Sequence, residues 1–203
     1  MSESAAGLTV TPAELVPDAA IDAVLGAVTE ASRCWCRWWM LANADHAATD
    51  PQSRRAALDG DRATGLSTGL IALRGEDAVG WVGVAPRPRY ARLPRTKAIP
   101  AAVGDTDWAD EGVWSIVCFT IPRQHRGQGV AHRLLDAAVA HARANGAHTI
   151  EAYPHDTDVA AKPAGSLNTG TLRLFTAHGF AEVGRTAEPV AQVRVAFDRN
   201  GVV

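Results

Sequence analysis

The chain predicts a mixed α/β sheet in one domain. Three observations carry that expectation. Residues 114–121 are apolar on both faces, as a central strand should be. Residues 130–145 form an amphipathic helix, with Ala131, Leu134, Leu135, Ala138, Val139 and Ala142 on one stripe. Along the chain the elements run helix, helix, strand, strand, strand, helix, strand, helix, strand, strand. The 203 residues suffice for one sizeable domain.

Composition narrows the classes further. Net charge is −2, from 20 basic and 22 acidic residues, so global charge offers no argument for nucleic acid or an acidic membrane surface. No apolar run approaches the ~20 residues that span a bilayer. The first 15 residues lack the basic and hydrophobic regions of a signal peptide. Three cysteines, two of them in Cys34-Trp35-Cys36, make no disulfide framework. The expectation is a cytoplasmic protein with reduced thiols.

Taken in order, residues 1–10 read as a frayed terminus. Thr11, Pro12 and Glu14 suggest a helix start, with Thr11 as cap. Ile21, Val24, Leu25 and Val28 keep helical spacing. Residues 32–41 concentrate three tryptophans and two cysteines, and Trp35, Trp38 and Trp39 have helix-like spacing. Residues 43–50 read as a loop and 51–64 as an exposed helix. Residues 66–73 and 78–85 suggest a β-hairpin with a four-residue turn. The stretch 86–112 is a long loop, basic at first and acidic later, and long loops in compact domains are often functional. Residues 148–153 read as a strand, 155–167 as a polar loop and 172–178 as a short helix. Residues 180–183 and 190–197 read as a closing hairpin.

Chemistry concentrates between the central strand and the long helix. Arg126-Gly127-Gln128-Gly129-Val130-Ala131 fits R/Q-x-x-G-x-G/A. The glycines let backbone approach an anion, and the helix start adds amides without partners at the positive end of its dipole. Such a turn suits a phosphate or pyrophosphate. A second register, Gln124-x-x-Gly127-x-Gly129, fits the same expression; the first places its last small residue inside the helix. No Walker lysine and no Rossmann fingerprint is present.

Strand, R-x-x-G-x-A turn and long helix together resemble the acetyl-CoA-binding core of the GCN5-related N-acetyltransferases. A second element agrees. Asn168, Thr171, Leu174, Phe175, Gly179 and Phe180 match the family's N-x-x-A-x-x-L-Y-x-x-x-G-F at most places. The resemblance covers about residues 66–198 and leaves 1–65 as a helical acceptor-side part. It implies a mostly antiparallel sheet splayed at the central strand, with acetyl-CoA as co-substrate. Backbone of Gly127, Gln128, Gly129, Val130 and Ala131 would hold the pyrophosphate, with counter-charge from Arg126. Cys118, Phe119, Thr120 and Ile121 would line the cofactor arm. Backbone of Phe119 and Ile121 would pair with that arm as an added strand, and the amide near Phe119 would polarise the acetyl carbonyl. Asn168 would touch the arm. Phe175 stands where the family often has a tyrosine that protonates the leaving thiolate, and a phenyl ring cannot donate a proton.

An attacking amine must lose a proton, so a base is sought. Glu151, in the strand after the long helix, and Glu111, before the central strand, are the candidates. The acceptor is expected to be a small-molecule or peptide amine, with no nucleic acid or membrane partner. Without partner ligands, Cys34 and Cys36 are not expected to bind metal. The tryptophan group is expected in the core or as acceptor-pocket wall. Two rivals are a non-catalytic CoA-binding protein on the same fold and a dimeric interaction protein using the tryptophan-rich segment.

Overall fold

The computed structural model describes residues 7–96, 99, 107–185, 191–198 and 201–202. Strands are β1 (Leu8–Pro12), β2 (Leu70–Arg74), β3 (Asp77–Pro86), β4 (Val113–Thr120), β5 (Thr149–Ala152), β6 (Ala181–Arg185), β7 (Ala191–Asp198) and β8 (Gly201–Val202). Helices are α1 (Asp18–Ile21), α2 (Thr29–Cys34), α3 (Asn43–Ala48), α4 (Pro51–Ala63), α5 (Val130–Ala144) and α6 (Leu172–Thr176). A π-type segment, Asp22–Gly26, continues α1.

The sheet runs β1-β2-β3-β4-β5-β7-β6, with β8 paired to β7. β4 and β5 pair in parallel, and the other described pairs are antiparallel. The parallel pair follows from the connection, because α5 carries the chain back to the start of the sheet before β5 begins. This is the mixed, mostly antiparallel sheet expected.

Period-two alternation divides the core into two faces. Leu70, Ala72 and Val82 face α5, whose Leu134, Leu135 and Ala138 are fully buried against them. Ile71 and Trp81 face the other way and meet Ile21, Val24, Leu25 and Leu58 of the N-terminal helices. A Cβ on Gly80 would lie 2.7 Å from Val130 Cγ1, so a glycine there lets α5 seat on β3. A third cluster holds Tyr90, Leu93 and Ile99 against Val117 and Tyr153, so part of the 86–112 segment is packed core.

Several local expectations change. Leu8–Pro12 is an edge strand on β2 rather than a frayed end, and the expected helical start comes one position later, as a 3-10 turn over Ala13–Leu15. Leu8 and Val10 point to one face, Thr9 and Thr11 to the other, and Pro12 sits at the strand's end where a missing donor does little harm. Asn43–Ala48 is a helix, held from outside by Arg92, which donates to Asn43 Oδ1 and to the carbonyls of Trp38 and Leu41. The β2–β3 turn is Gly75-Glu76, two residues, with Gly75 at φ 61°. Helix α2 stops at Cys34, and Trp35 and Cys36 both adopt left-handed backbone, φ 48° and 57°. The tryptophan segment is therefore a turn rather than a helix. The strands expected over 148–153, 180–183 and 190–197 form, with 186–190 lying outside the described residues.

Candidate functional site

β4 and β5 stay paired only as far as Ile116↔Ala152. On its other edge β4 carries an irregularity. Gly83 of β3 pairs with Cys118 and Val84 with Ile116, so Val117 is an extra residue. Such a bulge bends the strand and re-aims the residues beyond it. There β4 leaves β5, and a cavity of about 320 Å³ opens. Cys118, Phe119, Thr120 and Ile121 form one wall. Glu30, Ala31, Cys34 and Cys36 come from α2 and the turn after it, while Asn168, Gly170, Thr171 and Leu174 come from the opposite side. Arg126, Ala131 and His132 carry the lining to the start of α5.

The turn into α5 has the shape an anion needs. Gly127 and Gly129 have φ of 70° and 76°, a region where glycine is unstrained. Nothing lies within 4 Å of where a Cβ on Gly127 would be, so the turn is open to solvent. Gly129 is the N-cap residue of the 15-residue helix, and no side chain caps it. The first helical amides are thus presented outward at the dipole's positive end. Two side chains brace the turn. Arg126 Nε donates to the Ile121 carbonyl at 2.8 Å, and Gln128 Nε2 donates to the Gln124 carbonyl at 2.7 Å. Val130 is buried and anchors the helix to Gly80.

Of the residues singled out in the sequence, Cys118, Phe119, Thr120, Ile121, Arg126, Ala131 and Asn168 line this cavity together. Gly127, Gln128, Gly129 and Val130 form the turn at its end. The Phe119 amide does not stand free. It donates to the Asn168 carbonyl at 2.5 Å, across the gap where β5 has departed. Phe175 is fully buried behind the wall, edge-on to Phe119 at 6.1 Å and to Phe180 at 5.1 Å. Its ring passes so close to Gly170 that a Cβ there would sit 2.8 Å away. Phe175 packs the floor of the cavity rather than facing into it.

Neither expected base reaches the cavity. Glu111 is exposed before the first residue of β4, and the strand from there to Phe119 spans roughly 20 Å. Glu151 is fully buried on β5 in a closed polar cluster. Arg87 Nη1 lies 3.3 and 3.4 Å from its two oxygens, Ser115 Oγ donates at 3.4 Å, and the Tyr153 hydroxyl donates to Oε1. Burial and the adjoining carboxylate push the Tyr153 hydroxyl well above its ordinary pKa. A core β-strand position offered a shielded carboxylate, and the fold uses it to neutralise Arg87.

The carboxylate that does line the cavity is Glu30 of α2, and His132 of α5 lines it too. His132 Nδ1 and His178 Nε2 are 2.8 Å apart, and His178 Nδ1 lies 2.7 Å from Asp136 Oδ1. The i, i+4 spacing of His132 and Asp136 on one helix face was visible in the sequence, but His178 joins them only through the packing of α6. Glu30 carried no sequence signal. None of Trp35, Trp38 and Trp39 lines the cavity. Arg55 stacks on Trp35 at 5.0 Å and Arg92 on Trp38 at 3.8 Å, while Trp39 packs beside Tyr90. These rings hold the turn in place. Among the described residues no group of three or more His, Cys, Asp or Glu is arranged to hold a metal ion. No described helix is long and apolar enough to cross a membrane.

A strand-to-helix glycine turn, a sheet parted at one strand and a cavity between them define the class of an acyl-transfer fold. The sequence profile of the acetyltransferase (GNAT) family matches residues 33–180, and the chain belongs to that family. No curated protein matches the chain. Among solved structures, the chain is similar to yncA from Salmonella typhimurium, solved with its cofactor acetyl-CoA, at 14% identity over 95% of each chain and a TM-score of 0.55. A ribosomal-protein-alanine N-acetyltransferase from Brucella melitensis is 16% identical over 93% of this chain and 99% of its own, with a TM-score of 0.54. A GCN5-related N-acetyltransferase from Kribbella flavida is 16% identical over 94% and 98%, also at 0.54. At these identities the neighbours speak for the fold.

Proposed function

We propose that this chain transfers the acetyl group of acetyl-CoA to a primary amine by direct attack. The observation that carries the reading is the continuity of the cavity, which runs from the C-terminal half of β4 to the uncapped glycine turn of α5. Diphosphate oxygens suit the amides of Gly127 to Ala131, with Arg126 alongside. The edge of β4 that β5 leaves is a row of backbone groups fitted to an extended, amide-containing arm. Cys118 and Phe119 then border the thioester.

The chemistry asks little of side chains. The amine nitrogen attacks the thioester carbonyl, the C–S bond breaks, and the thiolate departs with the electron pair. A thiol of pKa ~8.5 is a tolerable leaving group, so a phenyl ring at Phe175 is no obstacle. Positioning and a backbone donor for the developing oxyanion supply most of the acceleration. Glu30, on the cavity wall, takes the role of proton acceptor first sought at Glu111 and Glu151. The acceptor is a small-molecule or peptide amine met on the side formed by α2 and the turn after it, in the cytoplasm. The purified protein, supplied with acetyl-CoA and a panel of amines, should release CoA in a saturable, amine-dependent way. CoA binding with no transfer to any amine would favour a non-catalytic CoA-binding protein instead.

A further inference from the structure

All three cysteines of the chain line the cavity between β4 and α2, and two of them converge. Cys118 lies opposite Gly83 in the β3–β4 register. A Cβ on Gly83 would sit 2.9 Å from Cys36 Sγ and 3.5 Å from Cys118 Cβ, so the bare glycine is the surface on which both side chains rest. Both side chains thus meet over the same point of β3. Trp81, two residues before Gly83 on the same face of β3, donates from Nε1 to Cys36 Sγ at 3.3 Å. Cys36 arrives there through two successive left-handed residues, Trp35 and Cys36, neither of them glycine. Backbone of that kind is costly and persists where surrounding contacts hold it. Here they are the Arg55–Trp35 stack and the Trp81 hydrogen bond.

We propose that Cys36 and Cys118 are an oxidisable thiol pair in the cavity wall, which a peroxide converts to a disulfide and a dithiol restores. Cys36 is the attacking sulfur. The neighbouring Cys118 thiol, the Trp81 donor and the Arg37 charge lower the Cys36 pKa and favour its thiolate, whereas the neighbouring Cys36 and burial push the Cys118 thiol up. The Cys36 thiolate attacks a peroxide oxygen, the O–O bond breaks, and a sulfenic acid forms with hydroxide leaving. The Cys118 sulfur then attacks the sulfenic sulfur, the S–O bond breaks, and water leaves as its thiol proton is lost. Two thiols are oxidised by two electrons, and hydrogen peroxide is reduced to two waters. The new bond ties the turn after α2 to β4 next to Phe119. The consequence for acetyl transfer rests on the function proposed above; the chemistry of the pair does not.

The test exposes the full chain to hydrogen peroxide and maps its peptides by fragmentation mass spectrometry. Cys34 and Cys36 share one tryptic peptide, so the variants Cys34→Ser and Cys36→Ser assign the link. Expected are a mass lower by two hydrogens, a Cys36–Cys118 link that dithiothreitol reverses and the Cys34→Ser variant keeps, and a loss of acetyl transfer that returns on reduction. In Cys118→Ser a sulfenic acid on Cys36 should be captured by a dione reagent. A Cys34–Cys36 link, a link between molecules, or oxidation confined to Cys34 overturns the pairing. Transfer that is unchanged in the linked protein overturns the switch. If the reduced protein transfers nothing, the link in wild-type protein still decides the pairing.

Discussion

The Phe119 amide donates to the Asn168 carbonyl at 2.5 Å, bridging the gap that opens where β4 leaves β5. A polar group on the parted strand is thereby satisfied in the absence of an added chain. In the function proposed above, the same group meets the cofactor arm or the oxyanion. Binding of acetyl-CoA must therefore compete with Asn168 or draw the 165–171 segment aside. We expect CoA to change the amide exchange of Phe119 and Asn168 more than that of Ile116, which lies within the paired part of β4. Hydrogen exchange with and without CoA checks this, and an equal change at all three positions would argue against it.

Glu30 should separate chemistry from binding. It lines the cavity, while Glu151 is engaged with Arg87 and Glu111 stands at the far end of β4. Glu30→Gln is expected to lower kcat by about 100-fold or more, as loss of a general base does, with CoA affinity unchanged. Steady-state kinetics together with a CoA titration would show it.

The Arg87–Glu151 pair predicts a stability effect. Both side chains are fully buried, so removing one leaves the other charge without its partner in the core. Arg87→Met should cost about 3–5 kcal/mol in denaturant unfolding. The double variant with Glu151→Leu should recover much of that loss, because an apolar pair of similar volume carries no desolvation cost.

Asp156 and Arg185 join the segment after β5 to β6, Nη1 to Oδ2 at 2.6 Å. The hydrogen bond from Arg185 holds the Asp156 carboxyl below its ordinary value of 3.8. The unfolded chain thus takes up this proton at a higher pH than the folded chain does. The stabilisation is present above pH 3.8 and is lost as pH falls through the lower folded value. Asp156→Asn should be less stable than wild type at pH 7, and the difference should shrink in acid below pH 3.8. Thermal melts at both pH values test the trend.

Much of the frame was legible in the residues. β4 showed itself by being apolar on both faces, and α5 by a stripe of six small and branched residues. The glycine turn showed itself by spacing, and Asn168 by its place in a second motif. What could not be seen has physical reasons. β1 depends on pairing with β2 some sixty residues away, so local propensity at Thr11-Pro12 pointed to a helix instead. Left-handed backbone at Trp35 and Cys36 leaves no mark, because the residues that favour it are absent. Glu151 looked like a shielded base because a mid-strand carboxylate is unusual, but its partner Arg87 comes from the long 86–112 segment. Glu30 is one carboxylate among many on an exposed helix, and only the tertiary fold carries it to the cavity.

The measurement closest to the central claim is a calorimetric titration of acetyl-CoA into wild-type protein and the Gly129→Trp variant, with thermal melts confirming that both are folded. Gly129 is the left-handed, uncapped residue at which α5 begins, and an indole there would cover the presented amides. The expected result is saturable binding to wild type and its loss in the folded variant. No binding to wild type at millimolar acetyl-CoA, or equal binding to both proteins, would contradict it.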